Sequence, residues 1–172
     1  MTYARLAIHR HMQALAQRLG AQQRILEVGI AGDDPPGANR EFFKAASYET
    51  ADCDAKLSPD HCFDLENWPL IPQTLLRAFD LVICSQVLEH VWDPRCAFIS
   101  LWMLTKYGGY CIVDVPLLFP PHDELGCPDY WRLMPTAYRK LAEAAFFTVE
   151  ELLVDPQFQT MTGLLKKRKE DG

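Results

Sequence analysis

The chain has 172 residues, 49% apolar and 23% charged, enough to bury one core and to form one domain across 1–172. Its net charge of −6 argues against nucleic acid as a main partner, since that binding rests on Lys and Arg neutralising phosphates. No apolar run reaches about 18 residues and no signal-type segment opens the chain, so a cytoplasmic protein without membrane contact is expected. The six cysteines, at 53, 62, 84, 96, 111 and 127, form no CxxC pair and read as reduced thiols without a zinc site or disulfide framework.

Ile8, Met12, Leu15 and Leu19 recur at helical spacing ahead of Gly20, so 3–19 reads as an amphipathic lead-in helix with His9 and His11 on its surface. A strand follows over 24–28. Past the Pro35-Pro36-Gly37 break, 38–46 reads as helix and 48–53 as a second strand. Residues 61–65 read as a short strand and 70–78 as a modest helix, and 79–84 is a continuous apolar run of the buried parallel-strand kind. Asp93 and Pro94 supply an N-cap and an N1 proline to a helix whose Ala97, Leu101 and Leu104 share a face and whose stop is Gly108-Gly109. Strands over 110–115, 146–154 and 159–165 and a helix over 135–145 complete the order, and Lys166-Lys-Arg-Lys169 reads as a solvated tail. This alternation predicts an α/β fold: a doubly wound, mostly parallel, Rossmann-like sheet of six or seven strands flanked by helices, with its ligand at the strands' carboxyl ends.

The turn after the first strand narrows the ligand. Gly29 and Gly32 permit close backbone approach, and Glu27, Asp33 and Asp34 crowd the same place. A pyrophosphate such as that of NAD would face these carboxylates at a cost, whereas the sulfonium and ammonium of S-adenosylmethionine would be drawn to them. Asp52 ends the second strand, where a carboxylate can accept from both ribose hydroxyls. Asp54 is its weaker rival. Asp64 ends the next strand, where it can meet an adenine amino group or cap a turn ahead of Leu65-Glu66.

Ile25-Leu-Glu-Val-Gly29, the run from Phe79 to Pro94 that contains Ser85-Gln-Val-Leu-Glu-His90, and the run from Leu104 to Val113 together resemble the class I S-adenosylmethionine-dependent methyltransferases of the small type 11 kind. The resemblance covers roughly 24–154. It implies that Glu27, Gly29 and Gly32 face the methionine end of the cofactor, that Asp52 holds the ribose, that Asp64 with Leu65 lies by the adenine, and that Ser85 and Gln86 border the methyl donor. The glycine turn departs from the family pattern, with Ala31 and Asp33 at two of its three glycine places and Gly32 between them. That departure keeps a second reading open, a non-catalytic methyltransferase-like partner subunit that binds cofactor weakly or not at all.

The segment from Pro116 to Arg132 is too long for a minimal connector and sits where substrate is held. It is similar to the His-to-Asp-Tyr-x-Arg segment of methyltransferases of glycans and natural products, with His122, Asp129, Tyr130 and Arg132 matching, which implies a small polar acceptor. His122 is the candidate general base for an oxygen acceptor, because histidine titrates near neutrality. His90 is the second candidate, unless it orders the turn after its strand. Consecutive His122, Asp123 and Glu124 rarely converge on one point, so no metal is expected.

Overall fold

A computed structural model describes residues 3–30, 38–121, 127–157 and 159–168. Helix α1 (Tyr3–Leu19) leads into β1 (Gln22–Val28) and β2 (Ala45–Asp52). The short β3 (His61–Cys62) precedes β4 (Phe79–Ser85), α2 (Pro94–Leu104) and β5 (Thr105–Pro116). Helix α3 (Pro135–Ala144), β6 (Phe147–Val154) and β7 (Thr160–Lys167) close the chain. Seven strands lie in one sheet in the order β3-β2-β1-β4-β5-β7-β6. The pairs from β3 through β5 are parallel, and β7 runs antiparallel to both β5 and β6.

Side-chain alternation along the central strands feeds two cores. Val82, Cys84, Cys111 and Val113 pack with Phe98, Leu101 and Leu104 of α2 and Tyr138 and Ala142 of α3. Ile25, Leu81, Ile83, Ile112 and Leu164 pack with Met12 and Leu15 of α1. Helices therefore cover both faces, as the doubly wound reading requires. Gly163 in β7 is where α3 leans closest: the Tyr138 hydroxyl donates to the Val113 carbonyl at 3.0 Å, and a Cβ at 163 would lie 2.2 Å from that hydroxyl. No helix among the described residues is long and apolar enough to cross a membrane.

Several local expectations are corrected. The helix expected over 38–46 is a single 3-10 turn, Ala38–Glu41, because parallel pairing with β1 takes the chain from Ala45, opposite Gln22. The helix expected over 70–78 is two 3-10 turns, Trp68–Leu70 and Gln73–Leu75, since Pro72 holds an extended backbone between them and biases Ile71 the same way. The strand expected over 61–65 is only His61–Cys62. Asp93 does cap α2, accepting from the Arg95 and Cys96 amides, but Gly108-Gly109 does not stop that helix. Thr105 ends it, its hydroxyl donating to the Leu101 carbonyl at 2.7 Å, and β5 starts at once with the glycines inside a bulge against β4. A Cβ at Gly109 would lie 2.9 Å from the Asp80 carbonyl oxygen.

The basic run is likewise no solvated tail at its start. Lys167 is fully buried, donates to the Trp102 and Thr105 carbonyls at 2.7 and 2.8 Å, and lies over the Trp102 ring. Lys166 donates to the Gly108 carbonyl and covers Tyr110. His11 is also drawn inward, as described below.

Candidate active site

Four strands end side by side at the carboxyl edge of the sheet, and those predicted cofactor residues that lie within the described residues are found along it. Gly29 leaves β1 with a φ of +84°, and its amide donates to the Ala51 carbonyl at 2.9 Å. A Cβ at this position would lie 2.1 Å from Cγ2 of Val87, just beyond β4. The glycine is thus required both by the backbone turn and by the close approach of the neighbouring strand's exit.

Asp52 ties the same turn to β2. Its Oδ2 accepts from the Ile30 amide and its Oδ1 from the Asp54 amide, each at 2.9 Å. Each oxygen keeps a further lone pair, so the carboxylate can still take two hydroxyl donors. This pair of acceptors suits the two hydroxyls of an adenosyl ribose. Asp54 turns instead to cap the next turn, accepting from the Lys56 amide. Asp64 is exposed and accepts from the Glu66 amide at 2.8 Å, whereas Leu65 is buried and its carbonyl accepts from the Ser100 hydroxyl. Asp64 therefore caps the turn ahead of Leu65-Glu66, as one of its two readings has it, while Leu65 anchors the segment to α2.

Glu27 has partners of its own. Its Oε1 accepts from the Asn39 side chain at 2.6 Å and the Asn39 amide, and its Oε2 accepts from the Tyr48 hydroxyl at 2.8 Å. Burial pushes its pKa up against these bonds. It holds the returning chain against β1 and β2, flanking the turn whose Gly32, Asp33 and Asp34 lie outside the described residues.

Ser85 and Gln86 leave β4 half-buried, Gln86 in the left-handed region at φ 56°. Its amide group donates to Asp114 Oδ1 at 2.5 Å, and its backbone N–H donates to the Asp114 carbonyl at 2.9 Å. Asp114, fully buried in β5, also accepts from the hydroxyls of Thr160 and Thr162, and burial raises its pKa to about 6 against those bonds. His11 Nδ1 lies 2.7 Å from the Thr162 hydroxyl. The network thus runs from the exit of β4 to α1.

The acceptor-side segment is fastened to the turn that follows β4, Leu88–His90. The Tyr130 amide donates to the Glu89 carbonyl at 2.7 Å, and the Trp131 indole donates to the Val91 carbonyl at 2.9 Å. His90 Nδ1 lies 2.8 Å from the Pro128 carbonyl, so that nitrogen carries the proton and the ring links its turn to the acceptor-side segment. Trp92 meets Tyr130 edge-on, with ring centroids 5.2 Å apart. Arg132 pairs with both oxygens of Asp129 and donates to the carbonyls of Phe119 and Pro120, drawing together the two ends of the loop. His122, on that loop, lies outside the described residues.

Two groups at this edge escaped the sequence reading, Asp114 and Glu89. Asp114 is a single acid within an otherwise apolar stretch, a pattern that marks a buried charge needing a reason, whereas Glu89 stands beside His90 in a mixed stretch that carries no such signal. Glu89 is 1% exposed, and burial pushes its pKa up to about 8.

No curated protein sequence matches the chain. Among solved structures it is similar to the CurJ carbon methyltransferase (TM-score 0.70, 15% identity), covering 92% of this chain and 54% of that one. It spans little more than half of that neighbour's length. It is similar to the Burkholderia thailandensis 1,6-didemethyltoxoflavin-N1-methyltransferase with bound 1,6-didemethyltoxoflavin and S-adenosylhomocysteine (TM-score 0.69, 14% identity, covering 94% and 78%). A third is the Bradyrhizobium japonicum N-methyltransferase NodS in complex with S-adenosylhomocysteine (TM-score 0.67, 16% identity, covering 96% and 88%). The methyltransferase-domain family Methyltransf_23 matches residues 2–161, and the chain belongs to that family.

Proposed function

We propose that the chain is a cytoplasmic enzyme that transfers the methyl group of S-adenosylmethionine to an oxygen or nitrogen of a small polar molecule. The observation that carries this reading is Asp52, held by the Ile30 and Asp54 amides with acceptor capacity to spare at the edge shared by β1, β2 and β4. In this reading Asp52 holds the ribose hydroxyls, and Asp64, steadied by Leu65, meets the adenine. Glu27, Gly29 and Gly32 shape the methionine end. Ser85 and Gln86 border the methyl donor. When bound, the cofactor supplies a sulfonium-activated methyl group, so alignment and exclusion of water supply much of the acceleration.

On the acceptor side, Asp129 and Arg132 close the loop and Tyr130 with Trp92 forms a wall for the substrate. His122 takes the proton of an oxygen acceptor, and His90 keeps the segment in place through Pro128. The similar fold of the methyltransferase with bound 1,6-didemethyltoxoflavin supports a small acceptor. Calorimetric titration with S-adenosylhomocysteine tests the reading: binding to the wild type should weaken about tenfold or more in Asp52→Asn, which removes a charged acceptor. Equal affinity in the two proteins would remove Asp52 from the site.

A further inference from the structure

Among the described residues, Glu89 is the buried side chain whose polar atoms lack partners: no other residue gives either carboxyl oxygen a hydrogen bond. Buried polar groups in folded proteins are almost always paired, so an orphaned carboxyl points to a partner that arrives from outside the fold. Its position says where that partner comes from. Glu89 lies on the turn directly after β4, and its own carbonyl holds the acceptor-side segment through Tyr130.

The charges around Glu89 favour one class of partner. Asp114 faces it from β5, Asp129 and Arg132 from the acceptor-side segment, and Cys84 from β4. On its own turn, His90 Nε2 is 3.9 Å from its Oε1, beyond hydrogen-bond range. Arg132 is engaged by both oxygens of Asp129 and by the Phe119 and Pro120 carbonyls. Once Glu89 is ionised, three acids stand against one committed guanidinium, an excess of negative potential that a cation offsets and a neutral hydroxyl does not.

We propose that the Glu89 carboxylate seats the amino group of the methyl acceptor, binding it as an ammonium and removing one proton, so that the chain methylates an amine. The inference rests on the methyl-transfer reading above and selects nitrogen within it. In the proton step an N–H bond breaks, its electron pair stays on nitrogen as the lone pair that accepts the methyl group, and the proton forms an O–H bond on Glu89. A carboxyl raised to about 8 by burial is far closer in basicity to an amine than an ordinary glutamate is.

The test uses the full chain with carbon-13 in its glutamate carboxyls, with the Glu89 resonance assigned by Glu89→Gln. Glutamine matches the shape of a protonated glutamate, so the variant should keep the fold, which a thermal melt checks. With S-adenosylhomocysteine present at pH 7, three amines (ethanolamine, glucosamine and tyramine) are compared with their alcohol counterparts (ethylene glycol, glucose and tyrosol). At least one amine should move the Glu89 resonance toward the ionised form while its alcohol leaves it in place. That amine's methylation should fall about a hundredfold in Glu89→Gln, with S-adenosylhomocysteine affinity unchanged. A resonance unmoved by every amine, one moved equally by the alcohols, or unimpaired turnover in the variant overturns the proposal. Failure to bind S-adenosylhomocysteine would instead overturn the methyl-transfer reading itself.

Discussion

Gln86 is held twice by Asp114, once through its backbone N–H to the Asp114 carbonyl and once through its side-chain amide to Oδ1. The pair fixes a left-handed residue at the exit of β4. Because the Thr162 hydroxyl gives its one proton to Asp114, His11 must donate to Thr162 from a protonated Nδ1.

Replacing Asp114 by Asn puts an amide group among donors that need an acceptor. Asp114→Asn should destabilise the fold by about 1–3 kcal/mol and weaken S-adenosylhomocysteine binding, because the Gln86 turn loosens with it. Urea denaturation and calorimetry on the same preparation check both effects. Unchanged values in both would mean that the network neither stabilises the fold nor shapes the donor edge.

Gly29→Ala combines two faults, a Cβ 2.1 Å from Val87 Cγ2 and a side chain on a backbone with φ at +84°. Shortening the neighbour with Val87→Ala should restore only part of the lost stability, since the left-handed backbone still costs about 1–2 kcal/mol. Full recovery in the double variant, measured by denaturant midpoint, would show that crowding alone makes glycine necessary.

Glu89 also predicts a pH dependence of stability. Its folded pKa of about 8 lies above its ordinary value of 4.5, so the folded state keeps a proton that the unfolded chain releases. That contribution is complete below the ordinary value and is lost as pH rises through about 8. Relative to Glu89→Gln, the wild type should therefore lose stability across this interval, on the order of a few kcal/mol. Asp114, raised to about 6, acts in the same direction in both proteins, so the comparison removes most of its contribution. Parallel melting curves at pH 5 and pH 9, about the ends of this interval, would contradict the burial of an unpaired carboxyl.

His122 separates the two acceptor chemistries. With an oxygen acceptor, His122→Ala should lower turnover about a hundredfold while leaving cofactor affinity nearly intact. With an amine acceptor seated on Glu89, the same substitution should leave turnover largely unchanged. Steady-state rates with the matched amine and alcohol substrates read the difference.

The parts of the fold legible in the sequence were those where local chemistry and tertiary demand agree. The apolar run of β4 and the Asp93-Pro94 start of α2 are of this kind. Misreadings fell where pairing overrode local preference. Ala45 and Ala46 suit a helix, yet the sheet takes them as β2; Gly108-Gly109 suits a helix stop, yet it forms the bulge that lets β5 follow α2 directly. Lys167 looks like part of a soluble tail until carbonyls and rings from the α2–β5 junction surround it. At the candidate site, Asp52 was legible from its place at a strand end. Glu89 was not, because its defining property, a buried carboxyl without partners, belongs to the packing of the acceptor-side segment over its turn and has no signature in residue order.

The most direct measurement is calorimetry of the purified chain with S-adenosylhomocysteine and, separately, with NAD. The chain should show one site with affinity in the micromolar range for S-adenosylhomocysteine, weakened in Asp52→Asn, and no binding of NAD. Absence of heat at high micromolar S-adenosylhomocysteine, or saturable binding of NAD in its place, would contradict this.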